Sequence, residues 1–146
     1  MKLFQIEEPD GGPADPSAPG AAIGIDVAGA AAEVAFSIGG NALVLADREG
    51  SEMILPVPER TAAINEWLEL LQAARARAER ALARPVSHAV IVLSGTGGEV
   101  ENAVRSAAKE AGIEVLRLLT RAELPDGSAP VLAAAMLAED LAPRTQ

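Results

Sequence analysis

The chain contains no cysteine and a single histidine, His88. A disulfide frame and a thiolate site are therefore excluded, and one imidazole does not make a histidine-based metal cluster. Tyrosine is absent too. Phe4, Phe36 and Trp67 are the aromatic residues of a 146-residue chain, so its core must be assembled from alanine, valine, leucine and isoleucine. Side chains of that size suit close packing of helices on a sheet. Basic residues are scarce: 12 Lys and Arg against 21 Asp and Glu leave a formal charge of −9. Nucleic-acid affinity rests on cationic contacts that release counterions, so DNA and RNA are disfavoured as partners. No apolar run reaches the roughly 18–20 residues needed to cross a bilayer, residues 129–138 being the greasiest stretch. The N-terminus lacks the basic segment and long apolar run of a secretory signal. These absences lead to the expectation of a soluble, cytoplasmic protein with no membrane partner. The length fits one domain, able to bury roughly two thirds of its unfolded surface without metal or disulfide.

Residues 7–20 hold four prolines, three glycines and several acids, with almost nothing to bury. They read as a flexible linker, which places the folded unit at residues 21–142 and leaves 143–146 as a disordered end. The Met start and the linker point to a natural short protein. Ahead of the linker, Leu3, Phe4 and Ile6 form a small apolar cluster that is either an edge strand or a docking motif for a partner.

From residue 21 the pattern predicts strands at 22–27, 33–38 and 42–46, joined by glycine-containing connections short enough for hairpins. Residues 53–57 could extend this meander until Pro56 and Pro58 stop it. Thr61 is read as the N-cap of an amphipathic helix over 62–83, with Ile64, Leu68, Leu71, Ala78 and Leu82 on its buried stripe. The four arginines Arg75, Arg77, Arg80 and Arg84 read as a solvated face, with a basic patch as the alternative. Residues 88–93 have the unbroken apolar character of a strand buried on both sides in a parallel sheet. A second helix over 99–111 ends at Gly112, a strand follows at 114–119, and Pro130 opens a nearly all-apolar helix over 130–141. The order predicts an α/β fold, a ribonuclease H-like mixed sheet of three antiparallel and two parallel strands with helices on both faces.

Two stretches, Arg84-Pro85-Val86-Ser87-His88-Ala89-Val90-Ile91-Val92 and Ala111-Gly112-Ile113-Glu114-Val115, together with Ile23-Gly24-Ile25-Asp26, resemble the first lobe of the seventy-kilodalton heat-shock chaperone ATPase domain. The loop Ser94-Gly95-Thr96-Gly97-Gly98 is closer to the chaperone-like proteins of ethanolamine-utilisation operons. The resemblance implies one actin-like ATPase lobe. It further implies that Asp26 stands where the family organises metal-bound waters, and that Gly29, Gly95, Thr96, Gly97, Gly98 and Glu123 are the remnants of a nucleotide site. The departures are chemical. Where the family carries two hydroxyls after Asp-Leu-Gly, this chain has Ala30 and Ala31, and Gly29 falls one place late. A methyl donates no hydrogen bond to phosphate. The glycine loop has no Lys-Ser/Thr after it, so it is not a P-loop, and a tight helix entry explains it as well. Glu123 is separated from Pro125 by an extra residue and reads as an exposed turn glutamate. The family's lysine-bearing insertion and its second lobe have no counterpart.

The leading expectation is thus a non-catalytic, chaperone-like interaction protein, a pseudo-ATPase that acts by homodimerisation or by docking on a protein partner, with no cofactor. One alternative is a metal-dependent nuclease of the ribonuclease H-like class with Asp26, Glu123 and Asp126 as carboxylates. The other is weak binding of ATP with magnesium without hydrolysis.

Overall fold

The computed structural model describes residues 21–45, 55–58, 63–95, 98–125 and 127–142. Among them the elements run β1 (Ala21–Asp26), β2 (Glu33–Ile38), β3 (Asn41–Val44), α1 (Ile64–Leu82), β4 (Val86–Leu93), α2 (Gly98–Glu110), β5 (Glu114–Thr120), a 3-10 turn at Arg121–Glu123, and α3 (Pro130–Leu141). The strands form one open sheet in the order β3-β2-β1-β4-β5. β1–β2 and β2–β3 pair antiparallel, and β1–β4 and β4–β5 pair parallel. This is the mixed α/β sheet that the pattern predicts, and its strand order and directions are consistent with a ribonuclease H-like topology. Pro56, inside the stretch expected to extend the meander, makes an isolated bridge to Ala31.

Alternation along the strands splits the interior into two unequal halves. Ile23, Ile25, Val34, Ile91 and Leu93 point to the side covered by α1 and α2, where they pack with Trp67, Leu71 and Val104. The other side is covered by α3 alone among the described helices, and there the contacts are small: Ala22, Ala35, Val90 and Val92 against Ala134, Ala135 and Ala138. At Gly24 the sheet and α3 come closest. A Cβ at that position would lie 2.5 Å from the backbone nitrogen of Ala135 and 2.9 Å from the carbonyl carbon of Ala134.

The buried stripe of α1 differs from the expected one. Trp67, Leu70, Leu71, Ala74, Arg77 and Ala78 are buried, whereas Ile64 is 46% exposed and Leu68 and Leu82 are half-buried. The helix must satisfy the sheet and α2 together, so its covered face is wider than one row and turns away from Ile64. The arginines are likewise not a uniform solvated face. Arg77 is buried. The Arg75 guanidinium pairs with Glu79 at 3.2 Å and donates to the Ala111 carbonyl at the end of α2. Ala63, without a side-chain cap bond, precedes α1. Thr61, the expected cap, lies outside the described residues, as do Leu3, Phe4 and Ile6.

A long-range clasp holds the β2–β3 hairpin. Gly39 and Gly40 both take positive φ, 62° and 84°, as a two-residue primed turn requires. Their amides point at α3: Gly39 N–H donates to Glu139 Oε2 at 2.6 Å and Gly40 N–H to Oε1 at 3.1 Å, while the Ser37 hydroxyl donates to Oε1 at 2.8 Å. Charge-assisted bonds of this kind contribute about 1.5–3 kcal/mol where water is excluded, and less here because the turn is exposed. Glu139→Ala is expected to cost about 1–2 kcal/mol in a urea melt and to raise amide exchange in β3 first. An unchanged midpoint would show that the clasp contributes nothing.

Candidate functional site

Ligands of open α/β sheets bind at the carboxyl ends of parallel strands. In this chain that edge carries Asp26 at the end of β1, Ser94 and Gly95 after β4, and the Arg121–Glu123 turn after β5. The fold therefore collects Asp26, Gly29, Gly95, Gly98 and Glu123 at one edge. Thr96, Gly97 and Asp126 lie outside the described residues.

What stands opposite Asp26 is a cation. Its residue is 1% exposed, and Arg121 closes over it, with Nη2 2.9 Å and Nε 3.2 Å from Oδ2. The other carboxylate oxygen, Oδ1, accepts the Ala28 amide at 2.8 Å, which turns the chain at the end of the strand. Both oxygens are thus engaged inside the protein. Gly29 lies beside this pair: a Cβ there would sit 3.4 Å from Arg121 Nη2, an ordinary contact distance.

Glu123 is also committed locally. Its Oε1 accepts the Thr120 amide at 2.8 Å and the Thr120 hydroxyl at 3.3 Å, which caps its own 3-10 turn. The side chain is exposed, in agreement with the turn reading of the sequence. Gly98 opens α2 with φ 73°, a conformation that favours glycine and fits a helix entry. A Cβ on Gly95 would meet nothing within 4 Å, so no close backbone approach requires a glycine there.

Among the described residues the groups expected to hold a magnesium nucleotide are engaged elsewhere or lack the donors for it. The carboxylate that would order metal-bound water is neutralised by a guanidinium, Ala30 and Ala31 offer no hydroxyl, and Glu123 is turned onto Thr120. Among the described residues no group of three or more His, Asp or Glu side chains is placed to hold a metal ion.

Sequence reasoning missed Arg121. Its partner is 95 positions away, and the signal available was the basic residue directly after the last strand, at the edge where Asp26 also ends.

A second polar cluster occupies the opposite edge of the sheet. Ser87 Oγ and His88 Nδ1 are 2.7 Å apart, and His88 Nε2 stands 3.7 Å from Glu114 Oε1. The cluster borders a groove of about 560 Å³ that Arg105 and Lys109 also line. The pair resembles a nucleophile and its base, but the two backbone amides after α2 are not free to act as oxyanion donors. The Gly112 and Ile113 amides are used by the carbonyls of Lys109 and Ala108, and the C-terminal, negative end of α2 faces the groove.

No family model matches the chain, and no curated protein matches it. Among the described residues no helix is long and apolar enough to cross a membrane.

Proposed function

We propose that the chain is a non-catalytic interaction protein of the cytoplasm: a single ribonuclease H-like lobe, akin to half of the heat-shock ATPase clamshell, that works by presenting a surface to another protein chain. The observation that carries this reading is the Asp26–Arg121 pair. An arginine that closes over the strand-end carboxylate puts a fixed positive charge where the ATPase and nuclease readings both require a divalent cation. Two like charges at that spacing repel, so one displaces the other. Electrostatic stabilisation of phosphoryl transfer needs preorganised groups aimed at the phosphates, whereas Asp26 and Glu123 are both engaged within the chain.

The test is thermal melting with and without magnesium ATP. A ligand present at 100 times its Kd adds about 2.7 kcal/mol, whereas a chain that holds no nucleotide is expected to keep its midpoint unmoved in millimolar ATP. A rise of several degrees would overturn the reading in favour of a nucleotide binder. Magnesium-dependent cleavage of branched DNA that disappears in Asp26→Asn would overturn it in favour of a nuclease.

A further inference from the structure

The sheet has two edges, and they are built differently. β5 carries exposed Glu114 and Arg117, the charges by which proteins keep edge strands from pairing with one another. β3 carries none: no charged residue and no proline occurs between Glu33 and Asp47 in a chain with a net charge of −9. On and beside β3, Ile38 is 63% exposed, Leu43 54% and Val44 46%. An acidic or basic partner would be met by a charged edge. A second copy of an acidic chain is best met by a neutral one, because any charge on that strand would face its own image.

The register makes the edge self-complementary. Phe36 pairs with Leu43 and Ala35 with Val44, and the Leu45 amide donates to the Val34 carbonyl. Antiparallel ladders alternate, so Leu43, like Leu45, spends its N–H and C=O on β2, and those of Ala42 and Val44 point outward. No described residue lies beyond β3 in the sheet. If two copies approach antiparallel with Leu43 on the two-fold axis, Ala42 of each strand faces Val44 of the other. Both outward residues then exchange N–H···O bonds, and the two Leu43 side chains meet as a close non-hydrogen-bonded pair.

We infer that β3 is a homodimerisation edge, at which two copies join their sheets into one through Leu43-centred antiparallel pairing. This names the partner for the interaction reading above and rests on it. The isologous contact closes on itself, as a two-fold interface must.

Light scattering at tens of micromolar protein should give twice the chain mass of 14.9 kDa. Leu43→Lys, a change at an exposed position, should leave the circular dichroism intact and weaken association at least about tenfold by placing two ammonium groups face to face. Because the chain has no cysteine, Leu43→Cys is a direct probe: Cα atoms of a non-hydrogen-bonded pair lie about 4.5 Å apart, within the roughly 4.4–6.8 Å that a disulfide spans. Mild oxidation should convert this variant to covalent dimer and leave Arg117→Cys, on the other edge, uncrosslinked. A monomer at every concentration would overturn the inference and leave the edge to a strand of another protein. A dimer that survives Leu43→Lys, or crosslinks at Arg117 and not at Leu43, would overturn it in favour of another surface. None of these outcomes alters the nucleotide result, so the two readings fail separately.

Discussion

Gly24→Ala is expected to lower stability by about 3 kcal/mol or more, at the upper end of what overpacking costs. In a domain of this size that amounts to a fall of roughly 6–12 °C in the thermal midpoint. The reason lies in what the new methyl would strike. At 2.5 Å from the Ala135 nitrogen and 2.9 Å from the Ala134 carbonyl carbon, the obstacle is the backbone of α3, and backbone cannot change rotamer to make way. The helix would have to lift from β1. That would open gaps around Ala134 and Ala138, which are fully buried, and voids in a core of small side chains carry their own penalty. The same geometry predicts that Ala134→Gly will not rescue the variant, since it removes only the 3.0 Å contact to the Ala134 Cβ. A Gly24→Ala protein that melts with the wild type would mean that α3 rides further from the sheet.

The second large effect concerns Arg121. Removing one partner of a fully buried ion pair costs about 3–5 kcal/mol. Arg121 keeps 49% of its side chain in water, so screening brings the expectation for Arg121→Ala down to about 1–3 kcal/mol. Asp26→Asn should cost a comparable amount, about 1–3 kcal/mol: the amide oxygen can still accept the Ala28 N–H, but the amide NH2 that replaces Oδ2 meets only the guanidinium donors. The double variant decides the matter. If the pair acts as a unit, Asp26→Asn with Arg121→Ala should be about as stable as Asp26→Asn alone. Strictly additive losses in urea melts would show that the two residues do not act on each other. Arg121→Ala is also the sharper version of the ligand test. It uncovers Asp26 but supplies no hydroxyl at Ala30 and Ala31, so magnesium ATP is still expected to give no thermal shift.

Much of this architecture was legible along the chain because it is written in local periodicity. β4 reads as an unbroken apolar run since both of its faces are covered, and β1 behaves alike, with every residue from Ala21 to Asp26 buried. Gly112, with φ 80°, ends α2 where a left-handed residue is needed, and Pro130 begins α3 where the missing N–H costs nothing. The strand order followed from connection rules once those elements were placed.

The functional chemistry was less legible, since each decisive contact joins residues far apart. Asp26 was found as a candidate, yet its meaning depends on Arg121, and no spacing rule joins a strand-end acid to an arginine two strands over. Gly29 was read as a phosphate glycine, and nothing along the chain indicated that the Arg121 guanidinium would arrive beside it. Glu139 carries no motif at all, and its role exists because α3 ends above the Gly39–Gly40 turn. Ile64 and Arg77 show the same limit within one helix: periodicity identifies an amphipathic segment, but the neighbours it meets fix the phase of its buried face.

The sequence by itself therefore determined the order and type of the elements, the aliphatic character of the core, and the absence of hydroxyls at positions 30 and 31. These are properties of short windows and of side-chain chemistry, which act wherever the chain goes. Only the tertiary structure decided that Arg121 neutralises Asp26, that Gly24 is the seat of α3, and that an uncharged strand is the last of the sheet among the described residues. Each depends on residues brought together by strand pairing and helix docking, and no local pattern encodes which distant group will arrive.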